Sequence, residues 1–309
     1  MYKNRQITVI IPALNEEPSI ANVVNGLFDV TVCGDCQNII KENSDTADVG
    51  RKDDVNAAAN VARVSSVNAQ YCAGQCNAAP VSVVDQIIVG DNGSTDATAA
   101  IAKASGAMVV EEPERGYGAA CLAALAAPVE KDIIVFVDGD HSVVPQELPT
   151  LLNPLFDGAD LVIGSRTLGN CEKGALSVPQ EIGNKLAIAL LRLLWRGKVT
   201  DLGPFRAITQ QALTAIQMSD RKFGWTVEMQ IRALQLSLTS AEVPVSTRQR
   251  IGKSKISGTV SGVLGAAHGI LGTIGKLYWR QISGAHKRAQ RSSGYTATAQ
   301  LDGKSGKSS

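Results

Sequence analysis

The chain has 309 residues, 44% of them hydrophobic, and a formal net charge of +1, enough for one large or two modest domains with a packed core. The opening "MYKNRQ" runs straight into a strand-like segment, so no secretory leader is expected. No run of about 18 apolar residues offers a spanning helix. The charge is unevenly spread. From Pro244 onward, 11 Lys+Arg face 1 acid, a balance of +10, whereas the first 243 residues set 19 against 28, a balance of −9. Such asymmetry points to an anionic partner near the C-terminal part, either a phosphate-bearing substrate or a membrane surface. A solvated basic tail accounts for the last 26 residues but not for the cluster Arg248–Lys255.

In chain order, the apolar run Ile7–Ile11 predicts a buried strand stopped by Pro12, and a helix follows over Pro18–Phe28. Residues 31–80 break the rhythm: they are polar, rich in Ala, Asn and Asp, and read as an insertion. "QIIVGDNGSTDATAAIAKASGA" predicts a strand, a polar turn and an Ala-rich helix N-capped at Ser94 or Thr95. "AMVVEE" is a short strand, Gly116–Ala126 a helix and "DIIVFVDGD" the next strand. A helix near Gln146–Leu155 and the strand "ADLVIGSR" follow. These strands lack period-2 polarity and alternate with helices, which predicts an α/β fold with a mostly parallel sheet covered on both faces. "NKLAIALLRLLW" is too short to span a bilayer and reads as a core helix, with a membrane-facing helix as the alternative. "GPFRAIT" and "LTSAEVPVSTRQR" read as strands. "ISGTVSGVLGAAHGILGTIGKLYWRQ" predicts a Gly-rich apolar helix ending in Lys, Tyr, Trp and Arg, as interfacial helices do. The low-complexity tail from Ser283 is expected to be disordered.

Six cysteines are present. Cys33/Cys36 and Cys72/Cys76 form two close pairs whose thiolates suit zinc, with disulfides or free thiols as alternatives. Cys121 and Cys171 read as small structural apolar residues.

Ligands of open parallel sheets bind at the carboxyl ends of the strands. Three acidic turns, "PALNEE", "GDNGSTD" and "DGDH", fall at such ends and describe one crevice. Asp138 and Asp140, separated by a glycine, repel unless a cation lies between them or one is protonated. A hard ion, Mg2+ or Mn2+, takes oxygen ligands and keeps positions for substrate phosphates. Asp91 can accept from the imide edge of uracil or the amino edge of guanine. Pro12, Asn15 and Glu16 would line the nucleotide. Asp96 reads as favourable charge at a helix N-terminus.

The ordered set "VIIPALNEE", "IIVGDNGSTDAT", "ERGYGAA", "VFVDGDH", "VIGSR", "DLGPFRA", "GWTVEMQ" and "GKSK" resembles the family 2 glycosyltransferases, in particular the dolichyl/polyprenyl-phosphate sugar synthase branch. The resemblance covers residues 7–30 and about 84–283. It implies a GT-A fold with a Rossmann-like sheet, an NDP-sugar donor, a divalent metal and inversion at the sugar carbon. By position, Pro12, Asn15 and Glu16 match the nucleotide-binding start, Asp91 the base reader, and Arg115 and Gly116 a donor-side pair. Asp138 and Asp140 match the metal ligands, Arg166 and Arg206 basic residues near the phosphates, and Ser254 and Lys255 the pair that closes over them. Glu228 falls where other branches keep a catalytic carboxylate, so Asp140, Glu228 and Arg206 form the expected catalytic set. Three positions depart from the pattern: Asn92 replaces a second aspartate, Ser142 a glutamine ligand, and Gln249 an arginine that here is flanked by Arg248 and Arg250.

Residues 1–30 and 81–215 would form the nucleotide-sugar core, 31–80 the insertion, 216–255 an acceptor side, 256–283 the interfacial helix and 284–309 the basic tail. The expected reaction moves a hexose from UDP-glucose or GDP-mannose to a polyprenyl or dolichyl phosphate. A soluble phosphoglycerate-like or polysaccharide acceptor, and a non-catalytic nucleotide-binding protein, are the alternatives. The expected partners are the NDP-sugar, the lipid phosphate and a membrane surface, not a nucleic acid, with the protein peripheral on the cytoplasmic face. A lipid phosphate is already an anionic nucleophile at neutral pH, so Glu228 would orient groups; a hydroxyl acceptor would make it the base.

Overall fold

The computed structural model describes residues 1–33, 80–252 and 260–284. Its centre is β1 (Ile7–Ala13), in which all seven residues are buried. A strand of this kind needs cover on both faces, and helices on the two sides of the sheet supply it. With β4 (Gln86–Asp91), β5 (Met108–Glu111), β6 (Ile133–Phe136), β7 (Leu161–Ser165), β8 (Arg206–Thr209) and β9 (Ser240–Pro244), the order is β5-β4-β1-β6-β8-β7-β9. β8 runs antiparallel to both β6 and β7, and the other neighbours pair in parallel. The mostly parallel α/β sheet expected from the sequence is therefore present, with one reversed strand that the apolar run of "GPFRAIT" gave no means of orienting.

Side-chain alternation divides the core between the two faces. Val9, Ile11, Val89 and Val135 pack with Ile20, Val24 and Leu27 of α1 (Ile20–Phe28) and with Leu148, Leu151 and Leu152 of α4 (Leu148–Phe156). On the other face, Ile10, Ile88, Ile134 and Phe136 meet Ala124 of α3 (Tyr117–Leu125), Leu213 of α6 (Gln210–Ile216), and Trp225 and Met229 of α7 (Trp225–Gln235). Each fully buried Ile or Leu contributes about 1.5–3 kcal/mol relative to exposure. α1 buries Ile20, Val23, Val24 and Leu27, the 3–4 residue spacing of one helix face.

α2 (Thr98–Ala104) starts later than Ser94 or Thr95. Those two residues are engaged with β1's loop instead: Asn15 N–H donates to Ser94 Oγ (2.9 Å) and Thr95 N–H to Asn15 Oδ1 (2.7 Å). The helix's first amides are met by carboxylates. Ala97 N–H donates to Glu17 (3.1 Å) and Thr98 N–H to Asp96 (3.0 Å). Partial burial pushes the Asp96 carboxyl up, but hydrogen bonds from Thr98 and Glu17 outweigh it and leave it lowered.

A third cluster joins α5 (Val178–Trp195) and α8 (Val260–Ile282) to α7 through Ala187, Leu191, Val227, Ile231, Ile274 and Leu277. α5 opens with a capping box between Ser177 and Gln180 and ends at Arg196 in the left-handed conformation. Only part of "NKLAIALLRLLW" is core: Leu186 and Leu193 are exposed, as is Ile182 just before it. Among the described residues, no helix is long and apolar enough to cross a membrane.

The insertion leaves and re-enters through a two-stranded antiparallel ribbon, β2 (Thr31–Cys33) with β3 (Pro80–Ser82). Cys36, Cys72 and Cys76, the side chain of Cys33, and the tail beyond residue 284 lie outside the described residues. The zinc expectation therefore has no support among the described residues, which contain no group of three or more His, Cys, Asp or Glu able to hold a metal.

Candidate active site

β1, β4 and β6 run in parallel and end together. Ala13 pairs with Asp91, Pro12 with Gly90, and Ile10 with Phe136. Beyond the strands, Asn92 N–H donates to Ala13 O (2.8 Å) and Val137 N–H to Ile10 O (3.1 Å). This register gathers the three acidic turns at one edge of the sheet, where open α/β folds bind ligands.

Asp91 is 4% exposed. Its Oδ2 accepts from Ser94 N–H (3.1 Å), whereas Oδ1 is buried with no hydrogen-bond partner among the described residues. A buried acceptor left unmet costs about 1–3 kcal/mol, so this oxygen is suited to a donor that a ligand brings. Asn15, in the left-handed region at φ 52°, pins the Ser94–Thr95 turn. Glu16 N–H donates to Thr98 Oγ1 (2.8 Å), and the Glu16 carboxylate accepts from Ser19 Oγ (3.3 Å). Ser19 Oγ also lies 2.8 Å from Gly139 O, which ties the start of α1 to the Asp-Gly-Asp turn.

Asn92 holds the next loop from both ends of its amide. Nδ2 donates to Glu112 O (3.2 Å) and Glu114 O (2.6 Å), and Oδ1 accepts from Gly116 N–H (2.7 Å). An aspartate could make only the last contact. Gly116 lies so close to the chain that a Cβ there would sit 2.0 Å from Arg221 O. Gly118 and Ala119 at the start of α3 donate to Lys222 O (3.1 Å) and Arg221 O (2.8 Å). These N-terminal amides are thus used within the protein. Arg115 is exposed beside Gly93.

The Asp-Gly-Asp turn follows β6. Asp138 Oδ1 accepts from Tyr117 Oη (2.9 Å). Burial, then the charge of Asp140, pushes Asp138 up to about 6, against the Tyr117 hydrogen bond and the charges of Arg250 and Arg166. Asp140 is 3% exposed and pairs through Oδ2 with Arg250 (2.5 Å). His141 adopts φ 66°, which swings Ser142 N–H back to Asp140 Oδ1 (3.0 Å). His141 Nδ1 is buried without a partner among the described residues. Two adjacent hard-oxygen donors, Asp140 buried and Asp138 half-buried, fit a divalent cation. With no third protein ligand gathered among the described residues, such an ion would complete its shell from water and phosphate oxygens.

The remaining expected residues divide. Arg166 lines the same cleft as Asp138, Ser142 and Arg250, and its guanidinium forms a two-pronged pair with Asp201 (2.8 and 2.7 Å). Arg206 is fully buried and donates to the carbonyls of Leu202, Gly203 and Thr226. Its donors meet the backbone and brace the turn before β8. Glu228 accepts from Ser219 N–H (3.0 Å), Ser219 Oγ (2.7 Å), Asp220 N–H (2.6 Å) and Arg232 Nε (2.8 Å). Burial raises its carboxyl, but the Ser219 hydroxyl, Arg232 and the two amides outweigh it and hold it below the usual range. Glu228 therefore clamps the 219–220 turn onto α7. Ser254 and Lys255 lie outside the described residues. Of the two arginines flanking Gln249, Arg250 is the one that reaches Asp140. Gln249 is fastened to Glu172 and Lys173 (2.9 Å each).

Tyr117 and Asp201 belong to the site's framework and were not singled out from the sequence; Asn92, read there only as a departure from the family pattern, belongs to it too. Tyr117 sits between glycines in "RGYGAA", a run whose tight approach to another segment was the available signal. Asp201 and Asn92 act through residues far away in the chain, and no local spacing reveals them.

A doubly covered sheet that gathers a buried carboxylate with an unmet oxygen and an Asp-Gly-Asp turn at its strand ends is the architecture of a glycosyltransferase of the GT-A type. A sequence profile described as Glycosyl transferase family 2 matches residues 77–216. An uncharacterized glycosyltransferase of Mycobacterium tuberculosis is 36% identical over 57% of this chain and 79% of its own length. A dolichyl-phosphate hexose transferase of Haloferax volcanii is 33% identical over 53% and 71%. The chain belongs to glycosyl transferase family 2. In fold it is similar to the crystal structure of glucosyl-3-phosphoglycerate synthase from Mycobacterium tuberculosis, with a TM-score of 0.60, 24% identity, and 89% of this chain and 81% of that one covered.

Proposed function

We propose that the protein is an inverting, metal-dependent hexosyltransferase that moves a hexose from UDP-glucose or GDP-mannose to a polyprenyl or dolichyl phosphate. The observation that carries the reading is the Asp138–Asp140 pair, Asp140 buried and Asp138 half-buried, on the same sheet edge as the unmatched Oδ1 of Asp91. Asp91 would receive the base. Pro12, Asn15 and Glu16 would shape the nucleoside's surroundings, and Arg115 and Gly116 the donor side. Asp138 and Asp140 would hold Mg2+ or Mn2+, which as a Lewis acid offsets the charge that the leaving diphosphate gains. Arg166, fixed by Asp201, adds a positive charge beside Asp138, and Ser254 and Lys255 are assigned to the phosphates by their match to the family pattern.

The acceptor follows from proton bookkeeping. An alcohol needs a base to take its proton. Glu228, the carboxylate expected in that role, already accepts four hydrogen bonds. A phosphate monoester is anionic before it attacks, so no proton has to be removed. The name of the Haloferax relative agrees with a lipid phosphate. Glu228 and Arg206 are then positioning residues for the 219–220 turn and the approach to β8.

Membrane contact would come from α5 and α8. Val178, Ile182, Leu186 and Leu193 on α5 and Leu271, Trp279 and Ile282 on α8 are exposed. Exposed Lys185, Arg196, Lys276 and Arg280 lie on the same two helices, a composition suited to an anionic interface. The first turn of α5 also reaches the cleft through Gln180, which would bring lipid headgroups next to the Asp-Gly-Asp turn.

Labelled UDP-glucose and GDP-mannose, offered with Mn2+ and either polyprenyl phosphate or 3-phosphoglycerate, test the reading. Label should enter the lipid phase. Label only in a water-soluble product would replace the lipid acceptor with a soluble one.

A further inference from the structure

Three arginines lie near Asp138, one of them against Asp140, and they are held in different ways. Arg206 is fully buried on backbone carbonyls. Arg166 is locked by two parallel bonds to the buried Asp201. Among the described residues Arg250 has one partner, Oδ2 of Asp140, and its side chain is 30% exposed. It is therefore the one of the three that can leave its carboxylate for water at little cost in packing.

The backbone around Arg250 keeps it at this post. Arg248 N–H donates to Ser142 O (2.9 Å) and Ile251 N–H to Asp140 O (3.0 Å). Val143 and Thr247 pair as an isolated antiparallel bridge. Residues 247–251 thus run alongside residues 140–143, and the guanidinium is delivered to the carboxylate. Asp140 Oδ1 already accepts from Ser142 N–H, so Arg250 sits on the oxygen that is left.

We propose that Arg250 is an internal counter-ion that competes with the divalent metal for Asp140, so that metal and nucleoside diphosphate bind together better than either binds alone. The inference rests on the metal reading of Asp138 and Asp140 proposed above. A dication arriving alone must share Asp140 with a like charge or displace it. A dication arriving with a diphosphate gives Arg250 a new anion within reach, and the guanidinium exchanges a carboxylate for a phosphate oxygen. Ordering of this kind protects the site from holding a metal with no donor.

Mn2+ binding, read from the loss of the free-ion paramagnetic resonance signal, tests this without turnover. Arg250→Met and Arg250→Gln are compared with the unaltered protein, each first checked by its thermal transition. With Mn2+ alone, both variants should bind roughly ten-fold tighter than the unaltered protein, equivalent to one charge contact removed. With saturating UDP or GDP the gap should narrow, because Arg250 then has its phosphate. Equal Mn2+ affinity in all three proteins would overturn the latch and leave the metal reading standing. No Mn2+ binding in any of them, with or without nucleotide, would overturn the metal reading and the latch with it.

Discussion

Asp91 and Glu228 are two buried carboxylates with opposite circumstances. One oxygen of Asp91 has no partner among the described residues, whereas both oxygens of Glu228 are engaged by Ser219, Asp220 and Arg232. A buried acid that lacks a donor is suited to a ligand, and one that is fully met is part of the framework. Glu228→Gln should therefore act on stability. It leaves Arg232 without its charge partner and puts an amide where acceptors are needed, at a cost of about 3 kcal/mol, measurable by urea unfolding. The pH dependence has a definite sign. Because folding lowers the Glu228 carboxyl, its contribution is present above the unfolded value, about 4.3, and is lost as pH falls through the folded one. The difference in stability between the unaltered protein and Glu228→Gln should shrink as pH drops below 4. A difference that stays constant would contradict the clamp. The residue types of the site were legible, since a carboxylate at a strand end follows from the apolar run before it. The partners were not. Thr226 O meets Arg206 and Ser219 meets Glu228 through folds of the chain that leave no mark in local spacing, and both residues were expected at the phosphates or the chemistry.

At the scale of elements, close packing of β4 on α3 positions Asp91. A Cβ on Gly90 would lie 2.3 Å from Ala120 O, a backbone atom that cannot yield without moving the helix. Gly90→Ala should cost about 3 kcal/mol and weaken nucleotide binding, both visible in thermal transitions with and without UDP or GDP. Unchanged stability would show that β4 and α3 can separate freely. The strand at Ile7–Ile11 was readable from its apolar run, but β1 continues through Pro12 to Ala13, because Pro12 and Ala13 still pair with Gly90 and Asp91 of β4. The reversal of β8, the helix Gln210–Ile216 and the full extent of Trp225–Gln235 were not, since they depend on where the sheet's edge happens to lie. The start of α2 moved because the side chains of Asn15 and Glu17, some 80 positions away, met its turn and first amides.

For the whole molecule, the exposed apolar residues are concentrated on two packed helices. α8 is fastened by Thr273 Oγ1 to Asp220 (2.9 Å) and by the edge-to-face contact of Tyr278 with Trp195 at 5.8 Å, while Trp279 and Ile282 face outward. The protein should sediment with anionic vesicles, less so at high salt because exposed charges are screened. Leu193→Glu with Trp279→Glu should release it into the supernatant. Retention of the double variant on vesicles would move the membrane contact elsewhere. The apolar helices and the basic C-terminal balance were visible in composition; the fact that α5 keeps half its apolar residues outside the core required the packing of α7 and α8 against it.

The most direct measurement is sugar transfer from UDP-glucose and GDP-mannose to polyprenyl phosphate by Asp138→Asn/Asp140→Asn, with its fold verified by circular dichroism, beside the unaltered protein. Transfer by the unaltered protein should require Mg2+ or Mn2+ and stop with a chelator, and the double variant should lose activity by at least roughly a hundred-fold. Transfer at full rate by the variant, or by the unaltered protein in chelator, would contradict the account.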